Sequence, residues 1–90
     1  MLIPNSFIEN IVSLEQHPRF GGVIVVYRFN NGYGVVQSKH RHTCGVEMDI
    51  CTFKENSNEI EVCYSGVAEV KDEDIEPSLT KYSSLKPSSI

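Results

Sequence analysis

The densest group of chemically capable side chains in this chain is His40-Arg41-His42-Thr43-Cys44. On an extended strand alternate residues share a face, so His40 and His42 can chelate one ion, with Cys44 or His17 as a third ligand. Structural zinc takes four ligands, often from two paired knuckles. There is no Cys-x-x-Cys here, and Cys51 and Cys63 would have to reach in from other strands. The segment therefore reads as a polar strand end with exposed imidazoles. No metal and no cofactor is assigned, and a metal-stabilised module built on His40, His42 and Cys44 stands as an alternative.

The other reactive groups fare no better. A Cys-His nucleophile pair needs proximity and a third, orienting group. Cys51 and Cys63 fall in strand-like runs, with no helix N-terminus to lower a thiol pKa. Carboxylate pairs such as Glu47 with Asp49, or Glu59 with Glu61, are what the wet face of an amphipathic strand carries anyway. Acid–base work would require them desolvated in a cleft. Gly32-x-Gly34 sits inside a hairpin rather than between a strand and a helix, so it is no phosphate loop. The expectation is a protein without catalytic residues.

Size and charge point the same way. The 90 residues make one domain with a small core and little room for an enclosed pocket. Hydrophobic content of 40% and charged content of 22% suit a soluble globular chain. No run approaches the roughly 18 apolar residues of a membrane span. Met1 to Asn5 has no basic segment ahead of an apolar run, so no signal peptide is expected. Three cysteines leave one unpaired under any intramolecular scheme, which argues for reduced thiols and a cytoplasmic setting. Residues 69 to 76 carry Glu69, Asp72, Glu73, Asp74 and Glu76 against Lys71, and this stretch alone accounts for the net charge of −4. A general nucleic-acid binder needs the opposite excess. The acidic stretch suits a basic protein partner, or is simply the solvated start of a helix.

The elements that must position these groups are legible from patterning. Ser6 and Glu9 have capping-box spacing, and Phe7, Ile11 and Leu14 recur at helical intervals, widened by Ile8 and Val12. That predicts a helix over residues 6 to 16, stopped at His17-Pro18. Strands are predicted over residues 23–30, 33–41, 46–53 and 59–65. Asn31-Gly32 between the first two is the strongest short hairpin signal. A two-residue turn there sets Phe29 opposite Gly34, Tyr27 opposite Val36 and Val25 opposite Ser38. Val23, Val25, Tyr27, Phe29 and Val36 then share one face. A three-residue turn with a bulge would instead bring Phe29 to Tyr33. Val46, Met48 and Ile50 alternate with Glu47 and Asp49, and Ile60, Val62 and Tyr64 with Glu59, Glu61 and Cys63. Lys54 to Asn58 makes a polar turn. Ile75, Leu79 and Tyr82 predict a second helix over residues 74 to 85, with Pro77 in its first turn and a frayed tail from 86 to 90. The predicted fold is α+β: a four-stranded antiparallel meander with two helices on one face.

Tyr27-Arg28-Phe29-Asn30-Asn31-Gly32-Tyr33-Gly34-Val35-Val36 closely resembles the opening of a group of small proteins encoded by tailed bacteriophages and prophages. In that group an aromatic-rich strand, a Phe-Asn/Asp-Asn-Gly-Tyr-Gly turn and a Val-rich strand are followed by a strand pair, an acidic stretch and a short helix. Val62-Cys63-Tyr64 and Asp72-Glu73-Asp74-Ile75 fall in the matching order here. The resemblance spans Tyr27 to Tyr82, leaves residues 6 to 16 outside it, and aligns the acidic stretch by order alone. The group has no assigned activity, so the resemblance implies a phage genome as source and supplies no catalytic residue.

Together these readings predict a small, non-enzymatic phage accessory protein that binds a host or phage protein in the host cytoplasm. An inhibitor of a host regulator, or of a defence complex of the CRISPR or restriction kind, fits that description. The expected contact residues are Arg28, Gln37, Lys39, Glu47 and Asp49 on the wet strand face, and Asp72, Glu73 and Asp74 at the acidic helix start. A virion structural or assembly component, oligomeric through a sheet edge, is the other alternative.

Overall fold

The structure, a computed structural model, describes residues 3–16, 21–40, 43–64 and 69–87. It is an α+β fold built on an open antiparallel sheet of five strands in simple meander order. The strands are β1 (Ile11–Gln16), β2 (Val23–Arg28), β3 (Tyr33–Lys39), β4 (Glu47–Phe53) and β5 (Ile60–Tyr64). A 3-10 helix, Asn5–Asn10, precedes the sheet; a short 3-10 turn, Asp72–Asp74, leads into helix α1, Ile75–Ser83.

The fifth strand corrects the expected helix over residues 6 to 16. Only Asn5–Asn10 is helical, and Ile11–Gln16 pairs with β2. An isolated eleven-residue helix is marginal because its nucleus is costly, whereas Ile11 and Val12 are β-branched and suit a strand. The competing partner is strong as well. Val23-Ile24-Val25-Val26-Tyr27 would be a flat apolar edge if nothing covered it, and β1 removes that edge. A bulge between Ile11 and Ser13 leaves Val12 without a partner on β2, which breaks strict alternation and hides the strand from pattern reading. The capping box does not form either: no side chain caps the 3-10 helix, and Ser6 Oγ donates to Glu76 Oε2 at 2.6 Å instead.

The β2–β3 hairpin closes through three residues rather than two. Phe29 N–H donates to Tyr33 O at 2.9 Å, and Arg28, Tyr27, Val26 and Val25 face Gly34, Val35, Val36 and Gln37 in turn. Every expected cross-strand partner is therefore displaced by one residue, and Val35 replaces Val36 on the face of Val25 and Tyr27. Gly32 takes φ +89° while Asn31 keeps negative φ, as in a type I turn followed by a left-handed glycine. Asn31 has a reason to stay right-handed. Its Oδ1 accepts from Tyr33 N–H at 3.0 Å, and its Nδ2 donates to Tyr82 O at 3.0 Å and Leu85 O at 3.1 Å, satisfying carbonyls at the C-terminal end of α1.

All the described helical segments lie on one face of the sheet. Val25, Tyr27, Phe29, Val35, Val46 and Met48 meet Ile75 and Leu79 of α1, with Phe7, Ile11, Val23, Val70 and Tyr82 packed around them. Phe7 meets Phe29 edge-on, with ring centroids 6.0 Å apart. Val70 forms a single antiparallel bridge to Val46, which carries the chain from the β5 side of the sheet back to α1. The α1 boundaries fall inside those expected, and Pro77 sits in the first turn, where its missing N–H costs nothing. Among the described residues no helix is long and apolar enough to cross a membrane.

Candidate interaction face

The strand registers sort the polar side chains onto two sides of the sheet. On the side away from α1, Arg28, Gly34, Cys51 and Cys63 form one row across β2 to β5. Val26, Val36 and Asp49 form the next, and Ile24, Ser38 and Glu47 the third. Glu15 lies opposite Ile24 and belongs to this face; β5 bulges at Glu61, so that Ile60 faces Phe53 on this side while Val62 faces Thr52 on the other. No described helical segment packs on it. Among the described residues its charged side chains are the carboxylates of Glu15, Glu47 and Asp49 and the guanidinium of Arg28.

Arg28 is held by the fold. Its Nη1 donates to Ser57 O and, at 2.9 Å, to Asn58 Oδ1, while the guanidinium carbon lies 4.7 Å from the Phe53 ring centroid. It thereby ties the β4–β5 turn, where Asn56 takes φ +57°, to β2. Gly34 makes room for this arrangement. A Cβ there would stand 2.2 Å from Tyr27 O and 2.6 Å from Cε2 of Phe53.

Asp49 carries an electrostatic cost. Burial, and secondly the neighbouring Glu47 carboxylate, raise its carboxyl above the ordinary range. Beside it, burial pushes the Cys51 thiol up to about 12, with lesser contributions from Cys63 and Asp49. Cys63 is raised by burial and then by Asp49. These thiols are far from the low-pKa, activated state that nucleophilic catalysis requires.

The expected contact residues divide among three places. Glu47 and Asp49 lie together on the open face as predicted, and Arg28 joins them, with its Nη1 engaged within the chain. Gln37 is fully buried on the opposite side, where its Oε1 accepts from Tyr27 Oη at 2.9 Å; the shifted hairpin register put it there. Lys39 shares that side with Gln37 and, half-buried, lines an open cleft of about 370 Å³ with Cys44, Gly45, Glu69, Lys71 and Asp72. Within the cleft the N–H groups of Cys44 and Gly45 both donate to Glu69 Oε2 at 3.1 Å. Asp72, Glu73 and Asp74 are exposed and make no side-chain bond among the described residues. They belong to the α1 side of the molecule and do not join Glu47 and Asp49. Sequence patterning overlooks Glu15 as a member of the acidic face. Glu15 falls inside the expected helix, and the bulge at Glu61 breaks the expected alternation, setting Ile60 and Val62 on opposite sides of the sheet.

Of the candidate metal ligands, His17 and His42 lie outside the described residues. His40 opens a turn in which Thr43 N–H donates to His40 O at 3.0 Å, and Cys44 is exposed. Among the described residues no three His, Cys, Asp or Glu side chains gather as a metal would require. No family model matches the sequence, and no curated protein and no solved structure matches it.

Proposed function

We propose that this chain is a small, non-enzymatic phage accessory protein that binds a basic surface of another protein through the open sheet face. The observation carrying this reading is the set of carboxylates Glu15, Glu47 and Asp49 on a face that no described helical segment covers. Asp49 is partly desolvated and repelled by Glu47 in the free protein. A Lys or Arg side chain brought against it relieves both penalties at once, so that the charge favours association more than an exposed carboxylate would. Asp72, Glu73 and Asp74 add a second acidic patch on the other side, suited to steering a basic partner toward the molecule. The phage source, the host-cytoplasmic setting and the inhibition of a host regulator or defence complex rest on the resemblance of residues 27 to 36.

The test is affinity capture from infected host cells, read by mass spectrometry, with three baits: the natural protein, Glu47→Lys/Asp49→Lys, and Asp72→Lys/Glu73→Lys/Asp74→Lys. Loss of the captured protein with the first variant supports the open face, and a weaker, salt-dependent loss with the second supports steering. Unchanged capture by both variants ends the reading.

A sheet-edge assembly protein is the second reading, favoured by β5. This strand has no partner beyond β4 among the described elements, and its Val62 and Tyr64, on the same side of the sheet as α1, are still 43% and 51% exposed. A strict monomer by light scattering at high concentration removes it.

A further inference from the structure

Cys51 and Cys63 are direct partners in the antiparallel register of β4 and β5, and both point to the open face. Directly opposed residues have Cα atoms about 4.5 or 5.5 Å apart, depending on whether the pair exchanges ladder hydrogen bonds. A disulfide tolerates Cα separations of about 4.4 to 6.8 Å, so either kind of pair lies in range. Opposed Cβ atoms lie about 4.5 to 5.5 Å apart, so closure takes only a small approach of the side chains, at a strand with no partner beyond β4 among the described elements. Cys51 is fully buried and Cys63 exposed, so a small reagent reaches the pair from the Cys63 side.

We propose that Cys51 and Cys63 form a two-thiol modification site that a low-molecular-weight disulfide converts to a cross-strand disulfide, stapling β5 to β4. The Cys63 thiolate attacks one sulfur of the reagent, forming a mixed disulfide and releasing one thiol. The Cys51 thiolate then attacks Cys63 Sγ and expels the second. The protein gives up two electrons and two protons, and the reagent is reduced to two thiols. The raised thiol pKa values slow each attack; the register governs the equilibrium, because it holds the second thiol at the first throughout.

The third thiol, Cys44, is exposed and is removed by Cys44→Ser, leaving one possible intramolecular disulfide. That variant is equilibrated in a series of reduced and oxidised glutathione buffers, natively and in urea, then quenched and read by intact mass and peptide mapping. The expected product is monomeric, about 2 Da lighter and cross-linked between residues 51 and 63. Half-oxidation is expected in a buffer at least about tenfold more reducing for the native than for the unfolded chain, and the oxidised form should melt at higher temperature. Cys63→Ser, at an exposed position, should abolish the mass change. The proposal fails if the native pair oxidises no more readily than the unfolded one, if oxidation stops at a mixed disulfide on Cys63, or if the product is a disulfide-linked dimer.

Discussion

Replacing Asn31 tests whether the hairpin turn and helix α1 form one cooperative unit. Asn31 is only 8% exposed, and its amide joins Tyr33, Tyr82 and Leu85, residues up to 54 positions away in the chain. Asn31→Ala removes two donors from helix carbonyls and one acceptor from a turn N–H. With each net hydrogen bond worth about 1 kcal/mol, and a further cost for carbonyls left dry, the loss is about 2–4 kcal/mol. A chain of this size has roughly 5–13 kcal/mol of stability in all, and its melting point falls about 4–8 °C per kcal/mol. A drop of about 10–25 °C is therefore expected in thermal denaturation. Asn31→Asp separates the donor from the shape. It keeps the volume and the acceptor for Tyr33 N–H, but sets a carboxylate against two carbonyls at the negative end of the α1 dipole. At pH 7 it should cost at least as much as Asn31→Ala. The folded pKa of the new carboxyl is raised, so the penalty is full above that pKa and shrinks as pH falls toward the unfolded value of about 3.9. An Asn31→Asp protein within about 0.5 kcal/mol of the parent at pH 7, by urea denaturation, would refute the lock.

Two further perturbations probe the two faces of the sheet. Gly34→Ala drives a methyl group into Tyr27 O and the Phe53 ring, at 2.2 and 2.6 Å, so a loss of about 1–3 kcal/mol is expected, together with faster amide exchange across the β4–β5 turn that Arg28 holds; a stability equal to the parent's would show that Phe53 moves aside freely. Tyr27→Phe removes a buried donor from Gln37 Oε1 and should cost about 1–3 kcal/mol in urea denaturation. The Tyr27 phenol, pushed up to about 12 by burial, should titrate well above the ordinary tyrosine value of about 10 in ultraviolet absorbance. Because its folded pKa exceeds the unfolded value of about 10, its contribution to stability is intact below pH 10 and is lost as pH rises toward 12.

The parts of the fold that sequence reveals are those governed by short-range pattern. Val46, Met48 and Ile50 against Glu47 and Asp49 gave β4 its correct faces, and Ile75 and Leu79 gave α1 its buried stripe. What escaped depends on partners distant in sequence. Phe7, Ile11 and Leu14 satisfy a helical interval, but β2 offers a whole ladder of hydrogen bonds, and the Val12 bulge scrambles the alternation that would have announced the strand. The Asn31-Gly32 pair is compatible with two turn lengths. The choice between them is made by carbonyls more than fifty residues downstream, which no local rule consults. That single-residue shift moved Gln37 from an expected contact surface into the core, while Glu47 and Asp49, whose strand carries its own unambiguous period, stayed on the open face. The candidate site was thus legible where the strand pattern alone decided it.

The same reasoning separates stability from recognition at Asp49. A carboxyl whose folded pKa is raised is more at home protonated. The folded state is therefore penalised for ionising Asp49 as pH climbs past its unfolded pKa, and the penalty is complete once pH exceeds the folded value. Asp49→Asn, neutral at every pH, escapes that penalty. It should raise the urea midpoint at pH 7 and leave it unchanged near pH 3, where the parent's carboxyl is protonated as well. A carboxylate that merely decorates a solvated strand face would give no such difference. If the open face is the binding surface, the substitution that stabilises the free protein should also weaken capture of a basic partner, because it deletes the charge the partner neutralises. A midpoint that does not rise at pH 7 would remove the argument that Asp49 is held at a cost. A raised midpoint with unchanged capture would instead place the binding surface elsewhere on the molecule.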